Sequence, residues 1–146
     1  MAITVKKATI WRRELENHPG TLAEALKPFA DHDINLKVVM GYGFPNSNSE
    51  AAVEIYPITD AKAEKAAEEA GFKPSKEVHA LVIEGDDRPG LAYEIAAEIG
   101  HAKVNISFSI FQVIDKKFSG VFGFPSEDEA IKAEELIKQV AELVKK

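Results

Sequence analysis

The chain has 146 residues, no cysteine, and 24 acidic against 18 basic side chains, for a formal charge of −6. The absence of cysteine excludes disulfides and thiolate chemistry, and the acidic balance disfavours extended contact with nucleic acid or an anionic membrane. No apolar run approaches membrane-spanning length and Met1–Lys7 lacks the core of a secretory leader, so a soluble, cytoplasmic protein is expected.

In chain order, residues 2–15 read as an extended segment, with Ile3, Val5, Ile10 and Trp11 among polar residues. Asn17-His18-Pro19-Gly20 follows. Proline suits a first helical turn because its missing N–H would be unpaired there anyway, and Asn17 is a capping residue type. Leu22, Ala25, Leu26, Phe29 and Ala30 then recur at helical spacing, with Pro28 predicting a kink near the end. Next come a strand at 36–40, a turn-rich connection Gly41–Ser49, a strand at 51–56, and a helix opened by Thr59 or Asp60 and stopped at Gly71. Residues 72–75 offer a short further strand.

The same order then repeats. Residues 78–84 form a β-rich run, followed by Asp87-Arg88-Pro89-Gly90 and a helix carrying Leu91, Ile95, Ala96 and Ile99. A strand at 106–114 turns tightly at 115–117 into one at 119–124. Ser126-Glu127-Asp128-Glu129 is a capping box for a last helix carrying Ile131, Leu136, Ile137 and Val140.

The two copies share one constant offset. Pro19 and Pro89, Gly20 and Gly90, Asn35 and Asn105, Glu14 and Glu84, and Glu24 and Glu94 all stand 70 residues apart. An offset kept across a helix-sized segment marks a duplicated folding unit, giving domains 1–74 and 75–146. Each half carries its own acidic excess, 8 Lys and Arg against 11 Asp and Glu in residues 1–71 and 10 against 13 in residues 72–146. Each copy is β-α-β-β-α, the α+β ferredoxin-like class of antiparallel sheet with helices on one face. By the same offset residues 2–5 correspond to 72–75, so the N-terminal strand is expected to close the sheet of the second copy.

These residues resemble the ACT domain family, small ferredoxin-like modules that bind amino acids and regulate metabolic enzymes. Its pattern of Asn/Asp-x-Pro-Gly, x-Leu-Ala, a helix and Ile-Asn-Ile is matched by Asn17, Pro19, Gly20, Leu22, Ala23, Ile34, Asn35 and Leu36. Asp87, Pro89, Gly90, Val104, Asn105 and Ile106 match it again, with Leu91-Ala92 one residue early. Asp33 and Lys103 stand where the family places a helix-ending glycine. The resemblance covers nearly the whole chain as a tandem pair. It implies a ligand held between domains by Asn17 with Asn105 and by Asp87 with Asn35, with His18, Gly20, Arg88 and Gly90 completing the two sites. Leu15 and Gly85 stand where serine-binding relatives carry a histidine, which argues against serine.

The chemistry agrees independently. Free amides at a helix start suit a carboxylate, glycine admits a close approach, and an Asn amide or the Asp87 carboxylate can meet an ammonium group. Asn17 and Asp87 serve equally as helix caps, and Asn35 and Asn105 as turn residues. His18, His32, His79 and His101 lack metal-ligand spacing, and no activated nucleophile is visible. No cofactor or catalytic group is therefore expected. The reading is a non-catalytic amino-acid sensor, working as a homodimer or on a partner enzyme. The alternatives are a scaffold without a ligand site and, last, an enzyme or nucleic-acid reader of the same topology. The acidic charge argues against an RNA module.

Overall fold

The computed structural model describes residues 3–47 and 49–144; of the loop read at 41–49, Asn48 lies outside them, as does Ala2 of the first extended segment. The chain divides into two compact units, Thr9–Ser75 and Met1–Ala8 with Lys76–Lys146.

The segment 2–15 is two strands rather than one, β1 (Ile3–Ala8) and β2 (Trp11–Glu16), which enter different sheets. The unit Thr9–Ser75 continues with α1 (Thr21–Asp31), β3 (Val38–Gly43), β4 (Glu50–Tyr56), α2 (Ala61–Glu69) and the short β5 (Lys73–Pro74). Its antiparallel sheet runs β3-β4-β2-β5. Alternation along β2 and β4 sends Trp11, Val53 and Ile55 to the helix side. They meet Ala25 and Phe29 of α1 and Ala63, Ala66 and Ala67 of α2. Phe72 closes the core edge-to-face on Phe29, 5.5 Å between ring centres, a geometry worth about 1 kcal/mol beyond burial.

Asp60, not Thr59, caps α2, its carboxylate accepting from Ala63 N at 2.7 Å. Beyond α2 the chain reverses through Gly71 at φ 85°, a left-handed position that favours glycine. Pro28 is accommodated inside α1, which continues to Asp31.

The second unit comprises β6 (His79–Asp86), α3 (Leu91–His101), β7 (Phe108–Ile114), β8 (Lys117–Phe124) and α4 (Glu127–Val144), completed by β1. Its sheet runs β1-β6-β8-β7. Leu81, Ile83, Phe118, Phe122 and Phe124 pack under Leu91, Ile95 and Ile99 of α3 and Ala133, Ile137 and Val140 of α4. Ser126 Oγ accepts from Glu129 N and meets the Glu129 carboxylate, a capping box closed through the hydroxyl.

The N-terminal strand does close this sheet. β1 pairs antiparallel with β6 over six residues, Ile3 opposite Gly85 through Ala8 opposite Ala80, and Ile3 and Val5 pack against the core. The sequence halves 1–74 and 75–146 thus differ from the compact units by these first residues and by Ser75. The two sheets show why residues 75–146 alone would be one strand short: β5 fills the outer place beside β2, whereas the equivalent place beside β6 goes to β1. Both helix-ending turns that lack the family glycine still take the left-handed conformation, at Asp33 (φ 53°) and Lys103 (φ 60°).

Deletion of residues 1–8 removes an outer strand, two partly buried apolar side chains and the buried Ala8. It is expected to destabilise the protein by about 2–4 kcal/mol, read as a lowered thermal midpoint. An unchanged melting curve would refute a structural role for β1.

Candidate functional site

In both units the repeated phrase forms the turn between an inner strand and the first helix. Gly20 and Gly90 sit immediately before α1 and α3 with φ of 89° and 84°. A side chain here would clash with its own backbone rather than with neighbours, since nothing lies within 4 Å of a Cβ built at either position. The prolines therefore precede the helices instead of opening them, and neither helix has a side-chain cap. The capping roles read for Asn17 and Asp87 are corrected accordingly: the left-handed glycine occupies the cap position itself, so their side chains stand upstream of the first helical amides.

What fixes each turn is its backbone. Asn17 N donates to Ser49 O at 2.9 Å, and Asp87 N donates to Lys116 O at 2.9 Å, so both turns are strapped to the neighbouring hairpin. The helix entries match as well. Thr21 N donates to His18 O and Glu24 N to Gly20 O, as Leu91 N does to Arg88 O and Glu94 N to Gly90 O. The N–H groups of Leu22 and Ala23, and of Ala92 and Tyr93, come next and have no acceptor within their helix. In the first unit Thr21 adds a brace that sequence reading missed. Its buried hydroxyl donates to Glu16 O at 2.9 Å and accepts from His18 N at 3.2 Å. Leu91 takes that position in the second unit. The early Leu-Ala pair thus stands where Thr21-Leu22 stands, with no shift of the helix.

The remaining candidates are placed as follows. Asn17 is exposed, and its side-chain nitrogen lies 3.1 Å from where a Cβ on Gly43 of β3 would be. His18 turns back on its own turn, Nδ1 3.0 Å from Pro19 O. Asn35 and Asn105 are exposed in the connections after α1 and α3, ahead of the strands rather than opening them. Within one unit, Asn17 and Asn35 flank opposite ends of an eleven-residue helix, about 16 Å long. A single unit therefore does not bring its two asparagines together. Arg88 is engaged by Glu94 through both terminal guanidinium nitrogens, while its buried Nε has no hydrogen-bond partner. It lies in a groove of about 520 Å³ along α3 and α4, with Tyr93, Glu98 and His101. A second hollow of about 490 Å³ holds Thr4, Glu84, Asp86, Lys117 and Ser119. Of the repeated phrase, only Arg88 borders either hollow. Among the described residues no group of three His, Asp or Glu is arranged to hold a metal ion.

A polar network behind the first site also escaped sequence reading. Glu54, buried on β4, accepts from Tyr42 Oη at 2.7 Å and pairs with Arg12 Nε at 3.3 Å. Arg12 also bonds Glu14 at 2.6 Å and lies 5.9 Å from the Phe44 ring centre. Burial, then the hydrogen bond and charge of Glu54, hold the Tyr42 phenol above the ordinary tyrosine range, with Arg12 opposing. Burial would lower the Arg12 pKa, but Tyr42 and Glu14 outweigh it and raise it further. The alternation of glutamates with Arg12 on β2 is the trace of this network in the sequence. Its partners on β3 and β4 become visible only once Arg12 is known to face Glu54.

No family model matches the chain, nor does any curated sequence. Solved structures do match. A protein from Bacteroides thetaiotaomicron superposes with a TM-score of 0.71 at 18% identity, covering 92% of this chain and 98% of that one. The ligand-free regulatory subunit of aspartate kinase from Thermus thermophilus gives 0.62 at 15% identity, covering 94% and 95%. Escherichia coli aspartokinase III in complex with lysine and aspartate gives 0.54 at 14% identity, with 96% of this chain matching 33% of the kinase. The tandem ferredoxin-like fold is thus shared with regulatory subunits of aspartate kinase. No described helix is long and apolar enough to cross a membrane.

Gly20→Ala and Gly90→Ala are each expected to destabilise by about 1–2 kcal/mol from backbone strain alone, measurable by chemical denaturation; no loss would contradict the left-handed turns. Tyr42→Phe removes a donor from a buried carboxylate and should cost about 1–3 kcal/mol. Because folding raises the Tyr42 pKa, its contribution is complete below the unfolded value of about 10 and fades as pH rises through the folded one. Wild-type protein should therefore lose more stability on alkaline titration than Tyr42→Phe.

Proposed function

We propose that this protein is a non-catalytic regulatory module that binds a free amino acid between ACT-like domains, the first within residues 1–74 and the second within 75–146 completed by β1. The observation that carries this reading is the pair of helix-opening turns. In each, a left-handed glycine and a strap to the adjacent hairpin set the uncapped helix start a few residues after an Asn or Asp. Amides at a helix start favour a carboxylate, while the Asn17 carboxamide or the Asp87 carboxylate answers an ammonium group. Asn35 and Asn105 supply the second polar contact from the facing domain, with His18 and Arg88 at the margins. The shared fold with aspartate kinase regulatory subunits supports a regulatory role, and the lysine held by Escherichia coli aspartokinase III supports an amino acid as the ligand class. Binding would act on a partner enzyme or a homodimer only through its different affinity for two arrangements.

A second role, assembly through a sheet edge, is favoured by β7. This outer strand exposes Ile110, Val113 and Ile114, and an exposed apolar edge is a ready pairing surface.

Thermal-shift measurement against the proteinogenic amino acids tests the sensor reading. A compound at about 100 times its Kd stabilises by about 2.7 kcal/mol, and Asn17→Ala with Asn105→Ala should abolish the shift. No shift from any amino acid would leave assembly as the function.

A further inference from the structure

The two turns are alike in backbone but not in the strand beside them. The offset of 70 and the sheet registers place Gly41 and Gly43 of β3 where Phe111 and Val113 of β7 stand. The exchange extends to neighbouring elements. Leu22 of α1 lies against Gly41, 3.6 Å from a Cβ built there, whereas α3 has the small Ala92 at that position and β7 the large Phe111. Across the sheet, Gly41 pairs with Val53 and Phe111 pairs with Gly120. A Cβ on Gly120 would come within 2.9 Å of the Phe111 ring. Bulk that one unit places on the helix and inner strand, the other places on the edge strand.

At the next position along the edge the exchange reaches the turn. Gly43 pairs with Ala51 and leaves the space into which the Asn17 side chain extends. Val113 pairs with Phe118 and puts a half-exposed branched side chain at the equivalent place in the unit of Asp87. Asp87 is itself partly buried, whereas Asn17 is exposed.

From this asymmetry we propose that only the Asn17 turn accepts the amino acid, and that Gly43 is the residue that decides it. The missing side chain at 43 lets the Asn17 carboxamide lie along β3, where it can meet a zwitterion, while Val113 occupies that space in the other repeat. This rests on the sensor reading above and adds to it a stoichiometry of one amino acid per chain and a named specificity residue.

The test uses the full chain, titrated calorimetrically with L-lysine, L-aspartate and the remaining proteinogenic amino acids in turn. Gly43 is outside the left-handed region and its nearest contact is the end of a flexible side chain, so Gly43→Ala and Gly43→Val should fold as wild type does. Wild-type protein should take one equivalent per chain. Gly43→Val should bind about tenfold to hundredfold more weakly, the effect of losing a charge-assisted hydrogen bond, with Gly43→Ala between the two. Val113→Gly should keep the wild-type affinity. Two equivalents in wild type, full affinity in Gly43→Val, or lost binding in Val113→Gly would overturn this proposal and leave the sensor reading standing. A wild-type protein that binds no amino acid would overturn both.

Discussion

The architecture of each unit turns on a single backbone requirement: between its inner strand and its first helix the chain must pass through the left-handed region. Gly20 and Gly90 meet it without strain, and the result is a helix whose entry is set by main-chain bonds rather than by a cap. With the cap position taken by a residue lacking a side chain, the first amides are left without a local carboxylate or hydroxyl acceptor. Asn17 and Asp87 are held one turn upstream by the straps from their own amides to Ser49 and Lys116. A site for a small zwitterion and a turn that merely reverses the chain use the same backbone, and what separates them is the neighbouring strand.

That strand is where the duplicated units have diverged. Each keeps the volume its core needs but distributes it differently. Leu22 over Gly41 becomes Ala92 with Phe111, and Val53 becomes Gly120 beneath an aromatic ring. On the opposite face, Arg12 and Glu54 are paired where the second unit sets Val82 opposite Val121. A buried ion pair of this kind adds little net stability over an apolar pair, but breaking it from one side is expensive. It therefore fixes Tyr42, and with it the end of β3, in one place. Proteins of similar fold include a regulatory subunit of aspartate kinase, matched over nearly its whole chain, and a larger aspartokinase, matched over a third of its chain, so the fold is compatible with either arrangement.

Much of this was legible in the sequence. The duplication, the order of elements, and the capping signals at Asp60 and Ser126 are local properties of composition and spacing, and all of them recur in the structure. The partition of residues 2–15 between two sheets is not local. Carrying the offset back to residues 2–5 points to the second sheet, but the break between β1 and β2 leaves no mark in the spacing. The errors at Asn17 and Asp87 have a definite cause: an Asn or Asp ahead of Pro-Gly fits a cap by residue type, and only backbone angles reveal that the glycine has taken that position. Asp33 and Lys103 show the converse. Residues that seldom adopt positive φ do so here because the turn following the helix demands it. Gly43 and the Arg12–Glu54 pair stayed hidden because each matters through a neighbour distant in sequence, which register supplies, whereas Thr21 meets Glu16 and His18 only through the folded shape of its turn.

The crossing of β1 has a bearing on how the molecule is made. Thr4 is bonded to Glu84, 80 residues further along, so the strand is synthesised well before its place in a sheet exists. The unit Thr9–Ser75 holds all of its own strands and can condense while the rest of the chain is still on the ribosome. Its leading segment must then remain unpaired until β6 emerges, an exposed edge during the interval in which nascent chains are most prone to pair wrongly. Lys6 and Lys7 lie on that segment, and charges of this type are the ordinary protection of an unpaired strand against a stranger's.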